Sequence, residues 1–102
     1  MSKSSKERFE IELISRGYLQ SKRILKEHQT NIRRVDPERY ELCRTIVEHV
    51  ENVTYSLEET ERFIIEKEVL EGRRGKWYIG YLTRPSYYRY RKEAYRDFLN
   101  CL

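Results

Sequence analysis

The feature that most limits how this 102-residue chain can fold is an apolar stripe near its start, spaced by threes and fours. It runs Ile11, Ile14, Tyr18, Ser21, Leu25, His28, Ile32 and Val35. On a helix these residues share one side, whereas on a strand they would scatter over both faces. Asp36-Pro37 closes the stripe and opens a second helix. Asp at the cap accepts backbone N–H bonds, and Pro at the first helical position lacks an N–H that would otherwise have no partner. No convincing two-residue alternation follows, and four Gly with two Pro are too few for a β-meander. The sequence therefore predicts an all-α fold of about five helices.

Local signals place the boundaries. Ser4 or Ser5 caps the first helix, and Gly17 invites a kink, since glycine costs about 1 kcal/mol in a helix interior. The stripe packs on its own domain or pairs with its copy in a homodimer. The second helix runs to about Val53 and buries Tyr40, Cys43, Val47 and Val50, with Ile46 and Val53 flanking. Ser56-Leu57-Glu58-Glu59 has the capping-box pattern for a third helix that turns Leu57, Phe63 or Ile64, and Leu70 inward and stops at Gly72. Arg73-Arg74-Gly75 continues as an exposed turn. A short helix over Lys76–Leu82 comes next, then the connector Thr83-Arg84-Pro85-Ser86, then a last helix to about Asn100. Residues 1–54 form an N-terminal helical hairpin or arm for packing or dimerisation. Residues 55–102 form a trihelical helix-turn-helix unit.

Charge is one-sided. From Arg73 to Leu102 there are eight cations and two anions, a net +6, while the remainder carries 13 cations and 15 anions, a net −2. Eight of the thirteen aromatics lie in the same stretch. Solubility alone does not require such asymmetry, and a basic surface attracts a polyanion.

Two short connections between three helices, the last of them basic, are the layout of a helix-turn-helix reader of the major groove. On a helical wheel at about 100° per residue, Tyr87, Tyr90, Ala94, Tyr95, Phe98, Cys101 and Leu102 share one side, and Arg91 lies along it with its head in water. Arg89, Lys92, Glu93 and Arg96 share the other. The stretch from Leu57 to Leu99 resembles region four of bacterial sigma factors. It resembles still more the phage transcriptional regulators of the ArpU type. Leu57, Glu61, Arg62, Gly72, Leu82, Ser86, Ala94 and Leu99 occupy the places of that pattern. Trp77-Tyr78-Ile79-Gly80-Tyr81-Leu82 departs from the usual "Glu-Ile-Ala" of the middle helix, and nothing like region two precedes it. The resemblance implies a transcription regulator of phage or prophage type.

In such an arrangement the first turns of the last helix enter the groove. Ser86, Tyr88, Arg89 and Lys92 then lie nearest the base edges, with Arg89 able to bond a guanine in two places. Arg73, Arg74, Lys76, Arg84 and Arg96 are placed for phosphates. The expected partner is double-stranded DNA, with RNA polymerase a further one. Two alternatives compete. One is an adaptor whose aromatic tail docks on RNA polymerase or another protein. The other is a single-stranded RNA binder that stacks bases on Tyr78, Tyr81, Tyr87 and Tyr88.

No phosphate loop, nucleophile elbow or paired His–Cys or His–Ser set appears, so the chain is not expected to be an enzyme. Cys43 and Cys101 lack CxxC spacing and read as reduced thiols, and His28 and His49 lack companion ligands. No metal or cofactor is expected. With no apolar run of membrane-spanning length and no signal peptide, a cytoplasmic location is expected.

Overall fold

The computed structural model describes residues 3–30 and 36–102. Within them the chain is all-helical, with four helices: α1 (Lys3–Thr30), α2 (Pro37–Ser56), α3 (Glu59–Ile65), which continues through wide π turns over Glu66–Leu70, and α4 (Arg84–Cys101). α1 and α2 form a hairpin, with α3 and α4 packed across it. α1 sets the long axis of a molecule measuring 49 × 26 × 26 Å.

α1 starts ahead of Ser4 and Ser5, so neither stands at its cap. It also runs unbroken through Gly17, which faces solvent while neighbouring residues pack on the other side. Ile11, Ser15, Tyr18 and Ser21 are buried, with Ile14, Leu25 and His28 half-buried. Ile32 and Val35, the end of the expected stripe, lie outside the described residues. The described part of the stripe packs within the chain, against α2, the π segment and α4. Asp36 caps α2 as expected, its carboxylate accepting from the Glu38 N–H at 3.1 Å.

Two boundary expectations fail. Ser56 does not open α3. It is the last residue of α2, and its hydroxyl donates to the Val53 carbonyl at 2.7 Å. Burial of Val53 and Thr54 carries α2 past the expected end, and Leu57 then turns extended and drops into the core. The cap of α3 falls to Glu58, which makes no side-chain capping bond. The expected short helix over Lys76–Leu82 is a run of turns, with bonds from Ile79 N–H to the Lys76 carbonyl and from Tyr81 and Leu82 N–H to the Tyr78 carbonyl. Gly80 sits at φ +95°, outside any right-handed helix, and the Trp-Tyr-Ile run before it has weak helix propensity. The expected middle helix of a trihelical unit is therefore not formed.

The π turns have a packing consequence. Each residue of a wide turn rotates the chain less, which brings Val69 onto the same inward face as Ile64, Ile65 and Glu68. The Val69 carbonyl, freed near the helix end, accepts from the Ser15 hydroxyl of α1 at 2.9 Å. Gly72 follows at φ +69°, ending the helix as expected and letting the chain pass so close to α1 that a Cβ there would lie 2.8 Å from Leu19 Cδ1. One continuous core results, with residues from all four helices on both sides of position 54.

Candidate nucleic-acid interface

α4 begins where Thr83 accepts the Ser86 N–H on its hydroxyl at 3.3 Å, with Pro85 in the first turn. The helix is held by buried Tyr87, Ala94, Tyr95 and Phe98. Its end projects past the core, so Cys101 and Leu102 are exposed, contrary to the wheel. The strongest tether is a single carboxylate. Glu68 is only 5% exposed and accepts hydrogen bonds from the Tyr87 and Tyr95 hydroxyls and, at 3.0 Å, from Trp77 Nε1. One acidic group thereby ties α3, the turn run and α4 together, which replaces the bracing expected of a middle helix. Burial, followed by the bond to Glu68, pushes the Tyr87 hydroxyl well above its ordinary range. Burial, followed by the Glu68 charge, does the same to Tyr95. Both hydroxyls stay protonated and act as donors.

A second buried carboxyl, on α3, faces α4. Glu61 is pushed up from 4.5 to about 7, first by burial and then by the neighbouring Asp97 of α4.

The expected DNA-reading residues fall in three places. Arg89, Lys92 and Arg96 are exposed on the outward side of α4, opposite its buried face; Arg89 lies 5.0 Å from the Tyr90 ring, and Arg96 pairs with Asp97 at 3.2 Å. Ser86 is half-buried on the flank, with its N–H occupied by the cap. Tyr88, Arg73, Arg74, Lys76 and Arg84 instead come together around a cavity of about 160 Å³ between the start of α1, the turn run and α4. Tyr88 is 42% exposed, with the Arg91 guanidinium 4.6 Å above its ring and that of Arg84 at 5.8 Å. Arg73 is paired with Glu71 at 2.8 Å. Arg74 donates to the carbonyls of Glu68 and Arg73, both at 2.9 Å, and lies 3.8 Å from Glu12.

Four lining residues escaped the reading of the sequence. Glu68 carried a signal, a charged residue in register with Ile64 and Ile65 on an apolar face. Arg91 sits among the rings of Tyr87, Tyr88 and Tyr95 rather than free at the surface. Arg8 and Glu12 reach the cavity from α1, and nothing local could announce that.

Neither a known protein family, nor a characterised protein, nor a solved structure matches this chain. The candidate site thus rests on its own geometry. Among the described residues no helix is long and apolar enough to cross a membrane, and no cluster of three or more His, Cys, Asp or Glu could hold a metal ion.

Proposed function

We propose that this protein is a sequence-specific DNA-binding transcription regulator that presents the first turns of α4 to the major groove. The observation that carries this reading is the convergence of cations. Arg89, Lys92 and Arg96 line the outward side of α4, and Arg73, Arg74, Lys76 and Arg84 stand beside its N-terminal end. A convex helix with positive flanks suits a duplex, because the groove admits a helix while phosphates lie on either side. The motif is a helix, a turn run and a helix, with the Glu68 tether standing in for the missing middle helix. The narrower assignment, a phage or prophage regulator, rests on the resemblance over Leu57–Leu99 alone.

The RNA reading is weaker than this one. Of the four rings it needs, Tyr78 and Tyr87 are buried and stacked on each other at 3.9 Å, which leaves Tyr81 and Tyr88. One observation favours the adaptor reading as a second choice: Ile79 and Tyr81 project from the turn run at 64% and 61% exposure, a small apolar tip suited to a protein such as RNA polymerase. Selection of bound sequences from random duplex DNA, followed by titration at several salt concentrations, separates the two. A DNA reader yields a preferred site and a steep linear fall of log affinity with log salt. Loss of both results would overturn the DNA assignment.

A further inference from the structure

The cavity beside α4 has a chemistry of its own. Its lining holds six cations (Arg8, Arg73, Arg74, Lys76, Arg84 and Arg91) against two carboxylates, Glu12 and Glu68. Glu12 is shared loosely between Arg8 at 3.7 Å and Arg74 at 3.8 Å. Among the described residues Lys76, Arg84 and Arg91 form no salt bridge with any carboxylate. The cavity is therefore strongly cationic, which calls for an anion.

Its walls ask for more than an anion. Tyr78, Tyr87, Tyr88, Tyr95 and Trp77 supply aromatic surface. A volume of about 160 Å³, slightly above that of a cavity known to admit a benzene ring, takes a flat aromatic base, and the cavity is open on one side, so a sugar and phosphate attached to that base reach out toward solvent. At one end lies Glu68. Its Oε2 accepts two hydrogen bonds and its Oε1 accepts one, while a carboxylate offers about four acceptor positions. One acceptor position on Oε1 is left for an N–H of a bound ring. Exposed Arg8, Lys76 and Arg84 stand on the solvent side. The reverse orientation would set an anion against a buried carboxylate, so the occupant has a fixed polarity: N–H donor inward, negative charge outward.

We propose that this cavity binds a nucleotide, with an amino-bearing base directed at Glu68 and its phosphate held among Arg8, Lys76 and Arg84. The nucleotide is either free or the 5′-phosphorylated end of a single strand. The inference does not rest on the groove-reading role of the outward side of α4, and it shares only Lys76 and Arg84 with the duplex phosphate contacts proposed above.

Trp77 makes the test direct. It is the only tryptophan, it lines the cavity, and its indole N–H bonds Glu68, so its fluorescence reports occupancy. The full chain is titrated with AMP, adenosine, purine riboside 5′-monophosphate, inorganic phosphate and a short single strand ending in 5′-phosphoadenosine. AMP is expected to give a saturable change. Adenosine and the amine-free monophosphate are each expected to bind about tenfold more weakly or worse, because each loses a hydrogen-bonded contact to a charged group. Arg8→Ala and Arg91→Gln should each weaken AMP several-fold, with folding checked by circular dichroism, whereas Arg44→Ala on α2 should not. A strand that binds tighter than AMP, with the same sensitivity to Arg8→Ala and Arg91→Gln, identifies a strand end as the ligand. Equal or weaker binding of the strand identifies the free nucleotide. The proposal is overturned if neither AMP nor the strand gives a saturable change up to millimolar concentration. It is equally overturned if adenosine, the amine-free monophosphate or phosphate binds as well as AMP, or if both cavity variants bind AMP like the parent. No duplex is present, so this outcome is separable from that of the DNA-binding test.

Discussion

Replacing Glu68 by alanine should be among the most damaging single changes available in this protein. The carboxylate is buried and accepts from Tyr87, Tyr95 and Trp77. Removing it leaves three donors without their acceptor, and a buried donor deprived of its partner costs about 1–3 kcal/mol. Tyr87 and Tyr95 are buried and bear the full penalty, whereas half-buried Trp77 can turn its N–H toward water. The expected loss is therefore ~3–5 kcal/mol, a large part of the ~5–15 kcal/mol that holds a domain of this size together. In a small domain that shifts the melting temperature by roughly 15–30 °C. Urea unfolding followed by both far-ultraviolet circular dichroism and Trp77 fluorescence measures it. Tyr87→Phe and Tyr95→Phe should each cost only about 1 kcal/mol, because the carboxylate keeps two donors. Combining either with Glu68→Ala should cost less than the sum of the two, since the variants share one interaction. A Glu68→Ala protein within ~1 kcal/mol of the parent would refute the tether.

Glu61 should govern the pH dependence of stability. Its folded-state value of about 7 lies above the ordinary 4.5, so the folded protein holds a proton that the unfolded chain gives up earlier. Stability should therefore fall as pH rises from about 4.5 through 7 and level off above. Glu61→Gln should flatten that window and melt higher than the parent at pH 8; an unchanged profile would count against the Glu61–Asp97 contact. Gly72→Ala should cost about 1–2 kcal/mol in urea unfolding, since the residue sits in the left-handed region and against Leu19. A neutral result would mean the turn relaxes freely. For DNA, Arg89→Ala should cost about 1–3 kcal/mol on the selected site and blunt sequence preference, whereas Arg74→Ala or Lys76→Ala should weaken all duplexes alike and lower the salt slope by about one. Gel-shift titrations at several salt concentrations decide it, and an Arg89→Ala protein that kept both affinity and preference would remove α4 from the groove.

What the sequence determined by itself was the part written in neighbouring residues. The three-and-four spacing of Ile11, Ile14 and Tyr18 selects a helix, Asp36-Pro37 opens α2 through its own hydrogen bond and fixed φ, and Gly72 ends the third helix by adopting a φ that other residues resist. The basic stretch from Arg73 onward was equally plain, because charge is additive along a chain. Where the local reading failed, packing outweighed propensity. Ser56 had the right neighbours for a cap, yet burial of Val53 and Thr54 extended α2 through it. The Trp77–Leu82 segment was spaced like a helix, yet Gly80 and the anchoring of Trp77 on Glu68 made it a series of turns. The Glu68 tether and the cationic cavity belonged to the tertiary structure alone. They join Arg8, Glu12, Glu68, Lys76 and Arg91, residues far apart in the chain that meet only after α1 has packed across the end of α3 and the side of α4. Hydrogen bonds and Coulomb forces act over a few ångströms of space, and no local pattern encodes which distant residues the fold will bring that close.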